Sequence, residues 1–182
     1  MSKLSTVPNI LTMSRVFLLP FFVLGFFIEQ RFGLWFSTIV FMFCCITDYL
    51  DGYYARAYKQ TTKIGQVLDP LADKILISIS ILFITGYGLV DKVSIIPSSI
   101  ILCREIIISG VRENADNFNT LKLSKWKTTA QMLAITAVLV AASSHIISIK
   151  IFGEIMLWIS SVIAVISGLM YCRKHVSLDQ EN

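Results

Sequence analysis

Apolar residues occur in long runs along this chain, and polar residues are gathered mainly into short stretches between them. None of the runs shows the strict alternation that a transmembrane β-strand requires, so each run predicts a helix. A helix needs about 20 mostly apolar residues to cross a bilayer, and the runs are of that order. The pattern therefore predicts an all-α, polytopic membrane protein with six transmembrane helices, at about residues 7–28, 34–58, 64–90, 93–112, 126–148 and 151–172.

The composition excludes several other classes of protein. The 182 residues are 55% hydrophobic, and their mean hydropathy of +0.71 is too high for a soluble domain. A net charge of +4 would suit a nucleic-acid-binding protein, but the basic residues lie between apolar runs, where orientation in a membrane explains them better. No repeat or linker interrupts the chain. We therefore expect a single domain over residues 1–182, surrounded by membrane lipids, with no nucleic acid as a partner.

Lysine and arginine are distributed unevenly among the junctions between the predicted spans. Thirteen of them lie at the chain ends and at the second and fourth junctions: Lys3, Arg15, Arg56, Lys59, Lys63, Lys74, Arg104, Arg112, Lys122, Lys125, Lys127, Arg173 and Lys174. The other three junctions carry only Arg31, Lys92 and Lys150. Because cytoplasmic loops carry the excess of positive charge, this bias predicts that both termini lie in the cytoplasm.

Four aspartates interrupt the apolar pattern around the second junction. Their spacing is D-x2-D-G-x2-A-R-x8-G-x3-D-x3-D, between Asp48 and Asp73. Positions i, i+3, i+4, i+7 and i+8 of a helix share one face, and two aspartates four apart share a face of the next helix. An antiparallel hairpin would bring both pairs together at the cytoplasmic surface. The residues of this pattern are Asp48, Asp51, Gly52, Ala55, Arg56, Gly65, Asp69 and Asp73.

Four ionised carboxylates at a membrane surface require compensating charge. Each would cost roughly 2.5 to 3.5 kcal/mol at the centre of a span and less near the interface, and together they repel one another. Two Mg²⁺ or Mn²⁺ ions would bind the carboxylates and stabilise an in-line displacement at phosphorus. Gly52 and Ala55 leave room for a ligand, and Arg56 can bind its phosphate. The alternatives are a buried charge network with Arg56 and Lys74, or an ion pathway in a transporter.

The whole aspartate pattern resembles the signature of the CDP-alcohol phosphatidyltransferases, integral membrane enzymes that join a phosphatidyl group to an alcohol. The resemblance implies that the first three aspartates bind the two metal ions, and that Asp73 is both a ligand and the base that activates the alcohol. It also implies contacts of other residues with the CDP-diacylglycerol substrate. The metal ligands would be Asp48, Asp51, Asp69 and Asp73, and the CDP-diacylglycerol contacts would be Asn9, Thr12, Gly52, Arg56 and Thr62.

A second, basic cluster surrounds the fourth junction. It consists of Arg104, Arg112, Lys125 and Lys127, on the same predicted side of the membrane as the aspartates. Four cations suit a dianionic acceptor such as glycerol 3-phosphate, whereas a neutral alcohol would not require them. The alternative is that these residues are anchor charges that meet lipid head groups.

Three further segments carry a resemblance to one group within the family. PNILTMSR from Pro8, REIIISGVR from Arg104 and KWKTTAQ from Lys125 are similar to the bacterial phosphatidylglycerophosphate synthases, although Ser124 stands where that group commonly has glycine. The resemblance implies glycerol 3-phosphate as the acceptor, a bacterial inner membrane location with the active site facing the cytoplasm, and a homodimer. Serine, inositol or inositol phosphate are the alternative acceptors, and a transporter is the alternative outside the family.

Overall fold

A computed structural model describes the backbone of residues 7–28, 30–58, 63–113 and 122–179, and the side chains of residues 11–28, 31–50, 68, 70–110 and 126–170. Helices make up nearly all of these ranges, with short non-helical connections such as residues 87–91 and 145–146, and no strand occurs in them. The prediction of an all-α fold with six long helices is therefore confirmed. The helices are α1 (Val7–Phe27), α2 (Gln30–Tyr58), α3 (Lys63–Gly86), α4 (Ile95–Glu113), α5 (Lys122–Ser144) and α6 (Ile147–Asp179), and a short 3-10 turn (Lys92–Ser94) precedes α4.

The helix ends differ from the predicted ones for local reasons. α3 stops earlier than predicted because Gly88 adopts a left-handed conformation, with φ of 66°. The Gly88 N–H donates to the Thr85 carbonyl at 3.1 Å and the Leu89 N–H to the Ile84 carbonyl at 2.9 Å. This pair of bonds is the Schellman arrangement that closes a helix. Pro70 lies inside α3.

Three helical segments in the described part of the chain are long and apolar enough to cross a membrane: Arg31–Leu50, Lys92–Gly110 and Ile147–Met170. A shorter apolar segment, Leu11–Phe27, accompanies them. Large apolar side chains such as Phe32 and Ile147 are exposed on these helices. A surface of this kind suits hydrocarbon rather than water, so the helices indicate a membrane protein. Six spans and cytoplasmic termini stay predictions.

The chain divides into two compact units. The first unit comprises Met1–Phe83 and Leu139–Ile146, and the second comprises Ile84–Val138 and Ile147–Asn182. The core of the first unit is aromatic: the ring centroids of Phe22 and Phe41 are 5.9 Å apart, and those of Phe26 and Phe83 are 5.1 Å apart.

Helices α1 and α2 approach each other closely within the first unit. The Ser37 hydroxyl donates to the Phe22 carbonyl at 2.8 Å, which links the two helices directly. Gly25 and Gly33 face each other, and a Cβ atom built on Gly25 would lie 2.8 Å from the Gly33 carbonyl oxygen. Only a residue without a side chain fits there, because real Cβ atoms do not approach backbone so closely.

The second unit has its own core and its own surface ion pairs. Ile101, Ile135 and Leu157 are fully buried in it. Next to the 3-10 turn, the Lys150 ammonium lies 2.6 Å from the Asp91 carboxylate, and the Asp91 N–H donates to Glu154 at 2.8 Å. These contacts fasten the start of α6 to the segment that precedes α4.

Candidate active site

Arg15 is the centre of a polar cluster inside the first unit. Its Nη1 atom lies 2.7 Å from Oδ1 of Asp48 and also donates to Oδ1 of Asp73. Three helices meet through this one side chain, since Arg15 is on α1, Asp48 on α2 and Asp73 on α3. Two aspartates separated by 25 positions in the chain (73 − 48) thus bond to the same nitrogen.

Burial differs sharply within this cluster. The Arg15 side chain is only 1% exposed, whereas those of Asp48 and Asp73 are 23% and 24% exposed. Thr12, one helical turn before Arg15, is also buried, and its Oγ1 atom lies 3.5 Å from Nη2 of Arg15. The carboxylates therefore form the accessible part of the cluster, and the guanidinium supports them from the interior.

The carboxylates fit a divalent cation by their chemistry. Two oxygens that accept from one nitrogen lie within about 6 Å of each other, twice a normal hydrogen-bond length. The Arg15 guanidinium is bonded to both oxygens in this structure. Hard ions such as Mg²⁺ and Mn²⁺ take carboxylate oxygens as ligands. Among the described side chains no group of three or more potential ligand residues is found, and those of Asp51 and Asp69 lie outside that part of the structure.

A second polar cluster lies inside the second unit, between α4, α5 and α6. Arg104 donates through Nε to the Ala164 carbonyl at 3.2 Å and through Nη2 to the Ser167 hydroxyl at 2.9 Å. Lys127 bonds to Glu105, and Nη1 of Arg104 lies 3.6 Å from the same carboxylate oxygen. The three ionisable side chains are buried, so two cations share one anion in the protein interior.

Gln131 follows Lys127 by one turn of α5. Its side chain is 1% exposed, and its Nε2 atom has no hydrogen-bond partner in the described part of the structure. A buried amide that lacks an acceptor is unusual, because the loss of its hydrogen bonds to water is not offset. The cluster can therefore offer a further donor to an anionic or carbonyl oxygen.

Comparisons with known proteins identify the family. The sequence profile of the CDP-alcohol phosphatidyltransferases matches residues 5–166, most of the chain. The chain belongs to the CDP-alcohol phosphatidyltransferase family. The family assignment made from the aspartate signature is thereby confirmed.

Three relatives of this CDP-alcohol phosphatidyltransferase share one enzyme name. The CDP-diacylglycerol--glycerol-3-phosphate 3-phosphatidyltransferase of Rickettsia felis is 36% identical over 93% of this chain and 96% of its own length. The protein of the same name from Haemophilus influenzae is 37% identical over 91% of this chain and 90% of its own length. That of Cereibacter sphaeroides is 42% identical over 71% of this chain and 61% of its own length.

Many of the predicted site residues of this family member lie outside the described side chains. For Asp51, Gly52 and Arg56 on α2 and Asp69 on α3, only the helical backbone is described. The same holds for Asn9, Arg112 and Lys125 on α1, α4 and α5, and Thr62 lies outside the described backbone. The described predicted residues are Thr12, Asp48 and Asp73 in the first unit and Arg104 and Lys127 in the second.

Arg15 and Glu105 are the residues whose part in these clusters the sequence did not reveal. The sequence predicts Arg15 as a charge that flanks the first span, but the structure places it inside α1 with aspartate partners. A signal was present, since Arg15 follows Thr12 by three positions and the two share a helix face. Glu105 lies in the REIIISGVR segment, and the sequence indicates no partner for it. Its position 22 residues before Lys127 offers no local pattern that would join them.

Proposed function

We propose that this protein transfers the phosphatidyl group of CDP-diacylglycerol to the 1-hydroxyl of sn-glycerol 3-phosphate, giving phosphatidylglycerol phosphate and CMP. The observation that carries the proposal is the meeting of Asp48 and Asp73 on one side chain, since these are the first and last aspartates of the family signature. The choice of acceptor is supported by relatives of that enzyme name that align with nearly the whole chain.

Two divalent cations, Mg²⁺ or Mn²⁺, are part of this proposal. Asp48, Asp51, Asp69 and Asp73 would hold them. Bound there, such ions would stabilise negative charge on the attacking and leaving oxygens of the displacement. Two observations support this assignment. Carboxylates are ligands that these ions prefer, and the positively charged Arg15 side chain is bonded to Asp48 and Asp73.

Asp73 is the base of the proposed reaction. Its carboxylate accepts the proton of the 1-hydroxyl, and the alcohol oxygen then forms a bond to the lipid-linked phosphorus as the bond from that phosphorus to CMP breaks. Arg56 binds the pyrophosphate and stabilises its charge, because a guanidinium can make two parallel bonds to phosphate. Gly52 and Thr62 contact the CDP group, and Asn9 and Thr12 lie near the cytidine.

The phosphate of the acceptor is bound by the basic cluster. Arg104, Arg112, Lys125 and Lys127 supply four positive charges, and Glu105 offsets one of them. The net positive charge favours a dianion over a neutral alcohol. The two described members, Arg104 and Lys127, are hydrogen-bonded to other groups of the protein in this structure.

The remaining features follow from the family and the charge distribution. The protein spans a bacterial inner membrane six times, with its termini and its active site on the cytoplasmic side. The acyl chains of the substrate lie among membrane lipids. We propose a homodimer, by analogy with relatives of the family.

A substrate-panel assay tests the proposed reaction. The purified protein would be incubated with labelled CDP-diacylglycerol, Mn²⁺ and one of several acceptors: glycerol 3-phosphate, serine, inositol or inositol phosphate. We expect CMP release and a phosphatidylglycerol phosphate product with glycerol 3-phosphate alone. Turnover with another alcohol in its place would overturn the acceptor assignment, and no CMP release with any acceptor would favour a transporter or a lipid-binding protein.

Arg112→Ala tests the acceptor site. Loss of a phosphate contact should raise the KM for glycerol 3-phosphate about tenfold or more and leave the KM for CDP-diacylglycerol nearly unchanged. Steady-state kinetics with each substrate varied in turn would measure both constants. Lys150→Ala is the control, since Lys150 pairs with Asp91 near the start of α6. An unchanged KM for glycerol 3-phosphate would indicate that Arg112 is instead a charge that meets lipid head groups.

A further inference from the structure

We infer that Arg15 is a built-in counter-charge that takes the place of a divalent cation between the proposed metal-binding carboxylates. Its guanidinium holds Asp48 and Asp73 together and balances their charge before a divalent cation binds, and it gives up these bonds when the cation arrives. The inference rests on the proposed metal site and adds to it a residue that the family signature does not contain.

The position of Arg15 separates it from a surface charge. It reaches two helices from α1, and the residues it joins are 33 and 58 positions away in the chain. The guanidinium is almost completely buried, whereas roughly a quarter of each carboxylate is exposed. A soluble cation therefore meets the carboxylates first and Arg15 last.

The chemistry of the side chain suits a permanent counter-charge. Two negatively charged carboxylates bonded to the same nitrogen repel each other, and the positive charge of that nitrogen offsets the repulsion. A guanidinium keeps its proton at any physiological pH, and its several N–H groups can hold two acceptors in fixed directions. Arg15 therefore holds the two aspartates close together and offsets their negative charge while no divalent cation is bound.

Arg15 and a divalent cation compete for the same carboxylate oxygens of Asp48 and Asp73. A divalent cation bonds to carboxylate oxygens at about 2.0 to 2.1 Å and needs the electron pairs that the arginine N–H groups occupy. Its double charge also repels the guanidinium at short range. Arg15 thus stabilises the metal-free protein more than the metal-loaded protein. By linkage, removing Arg15 should make the stability of the protein depend more strongly on metal.

Arg15→Gln tests this inference, and Arg31→Gln is the matched control. Both arginines lie in the first unit, but Arg31 donates to the carbonyl oxygens of Ser143 at 2.7 Å and Ser144 at 3.2 Å rather than to the aspartates. Thermal unfolding of the full-length protein in detergent would be measured in EDTA and in saturating Mn²⁺. Mn²⁺ affinity would be measured separately by electron paramagnetic resonance.

We expect Arg15→Gln to lower the Tm in EDTA and to show a larger Mn²⁺-induced rise in Tm than the unmodified protein. Its Kd for Mn²⁺ should fall about fivefold or more, the usual scale of coupling between two ligands. Arg31→Gln should show the same Mn²⁺-induced rise as the unmodified protein. An equal loss of Tm with and without Mn²⁺, or weaker Mn²⁺ binding, would overturn the inference and leave Arg15 as an ordinary buried ion-pair partner.

Two further comparisons keep the test decisive. If Arg15→Gln does not fold, Arg15→Lys is compared with Arg31→Lys. Lysine retains the positive charge of arginine but lacks its planar guanidinium. The Mn²⁺-induced rise in Tm should therefore increase less than in Arg15→Gln, and no increase would count against the inference. If Mn²⁺ leaves the unmodified protein unaffected, the proposed metal site itself fails. If Mn²⁺ raises the Tm of the unmodified protein and that of Arg15→Gln by the same amount, only the role of Arg15 is overturned.

Discussion

Arg15, Glu105 and Lys127 are charged side chains that this protein buries almost completely. Moving an ion out of water costs several kcal/mol, and a nearby opposite charge offsets that cost only while both partners are present. Arg15 meets two aspartates, and Lys127 meets Glu105. At the scale of single residues, therefore, removing one partner should be more harmful than removing both.

Asp73→Asn should abolish turnover while CDP-diacylglycerol still binds in the presence of Mn²⁺. The amide cannot accept the proton of the alcohol, although it keeps the size of the side chain. CMP release and binding of labelled CDP-diacylglycerol would be measured on the same preparation. Asp91→Asn is the control, since Asp91 is an exposed aspartate paired with Lys150. Near-normal activity of Asp73→Asn would exclude Asp73 as the base.

Glu105→Gln should destabilise the protein by about 3 to 5 kcal/mol, because it leaves the buried Lys127 without its carboxylate. The double variant Glu105→Gln with Lys127→Met removes both charges and should recover much of that loss. Unfolding in detergent would be measured for the two single variants and the double variant, as a double-mutant cycle. Additive losses would contradict a direct coupling between the two residues.

At the scale of elements, each helix follows from its own run of apolar residues, but the fit between helices depends on small residues. The α1–α2 contact is the clearest case. A Cβ atom on Gly33 would lie 2.5 Å from the Ile28 carbonyl oxygen and would also meet the Gly25 carbonyl. Backbone cannot move aside as a flexible side chain can, so this contact tolerates glycine only.

Gly33→Ala should therefore destabilise the protein by about 1 to 3 kcal/mol, the usual cost of overpacking. Gly110→Ala is a matched control, since a Cβ atom there has nothing within 4 Å among the described residues. That change lies inside α4 and should leave stability equal or raise it by up to about 1 kcal/mol. Thermal unfolding of both variants would be measured in detergent. Equal changes in Tm would show that α1 and α2 leave room for a Cβ atom at Gly33.

At the scale of the whole molecule, membrane orientation depends on the summed charge of the junctions. The thirteen basic residues at the chain ends and at the second and fourth junctions outnumber the three elsewhere. His145 begins one of the sparse junctions, between α5 and α6, with φ of 57° and an N–H that donates to the Ala141 carbonyl at 2.8 Å. It closes α5 as a left-handed cap.

Reporter fusions should locate both termini in the cytoplasm. Green fluorescent protein, which fluoresces only when folded in the cytoplasm, should be active at either end of the chain. Alkaline phosphatase, which is active only in the periplasm, should be active when inserted after His145 and inactive at the termini. The positive-inside rule is the physical basis of this expectation. Phosphatase activity at either terminus would reverse the proposed orientation of the active site.

The sequence alone determined the six helices, the family and the two groups of charged residues. Those properties are local: hydropathy marks each helix, and the spacing of Asp48, Asp51, Asp69 and Asp73 places them on two helix faces before any packing is known. The resemblance of this aspartate pattern to the family signature then predicted the reaction.

Only the tertiary structure decided which charges meet. Arg15 looked like a flanking charge because hydropathy says nothing about partners 33 and 58 positions away. The same holds for Arg104, whose bonds to Ala164 and Ser167 depend on how α4 packs against α6. Partner choice is a property of helix packing, where a few ångströms decide whether two groups bond. A one-dimensional pattern carries no such distances.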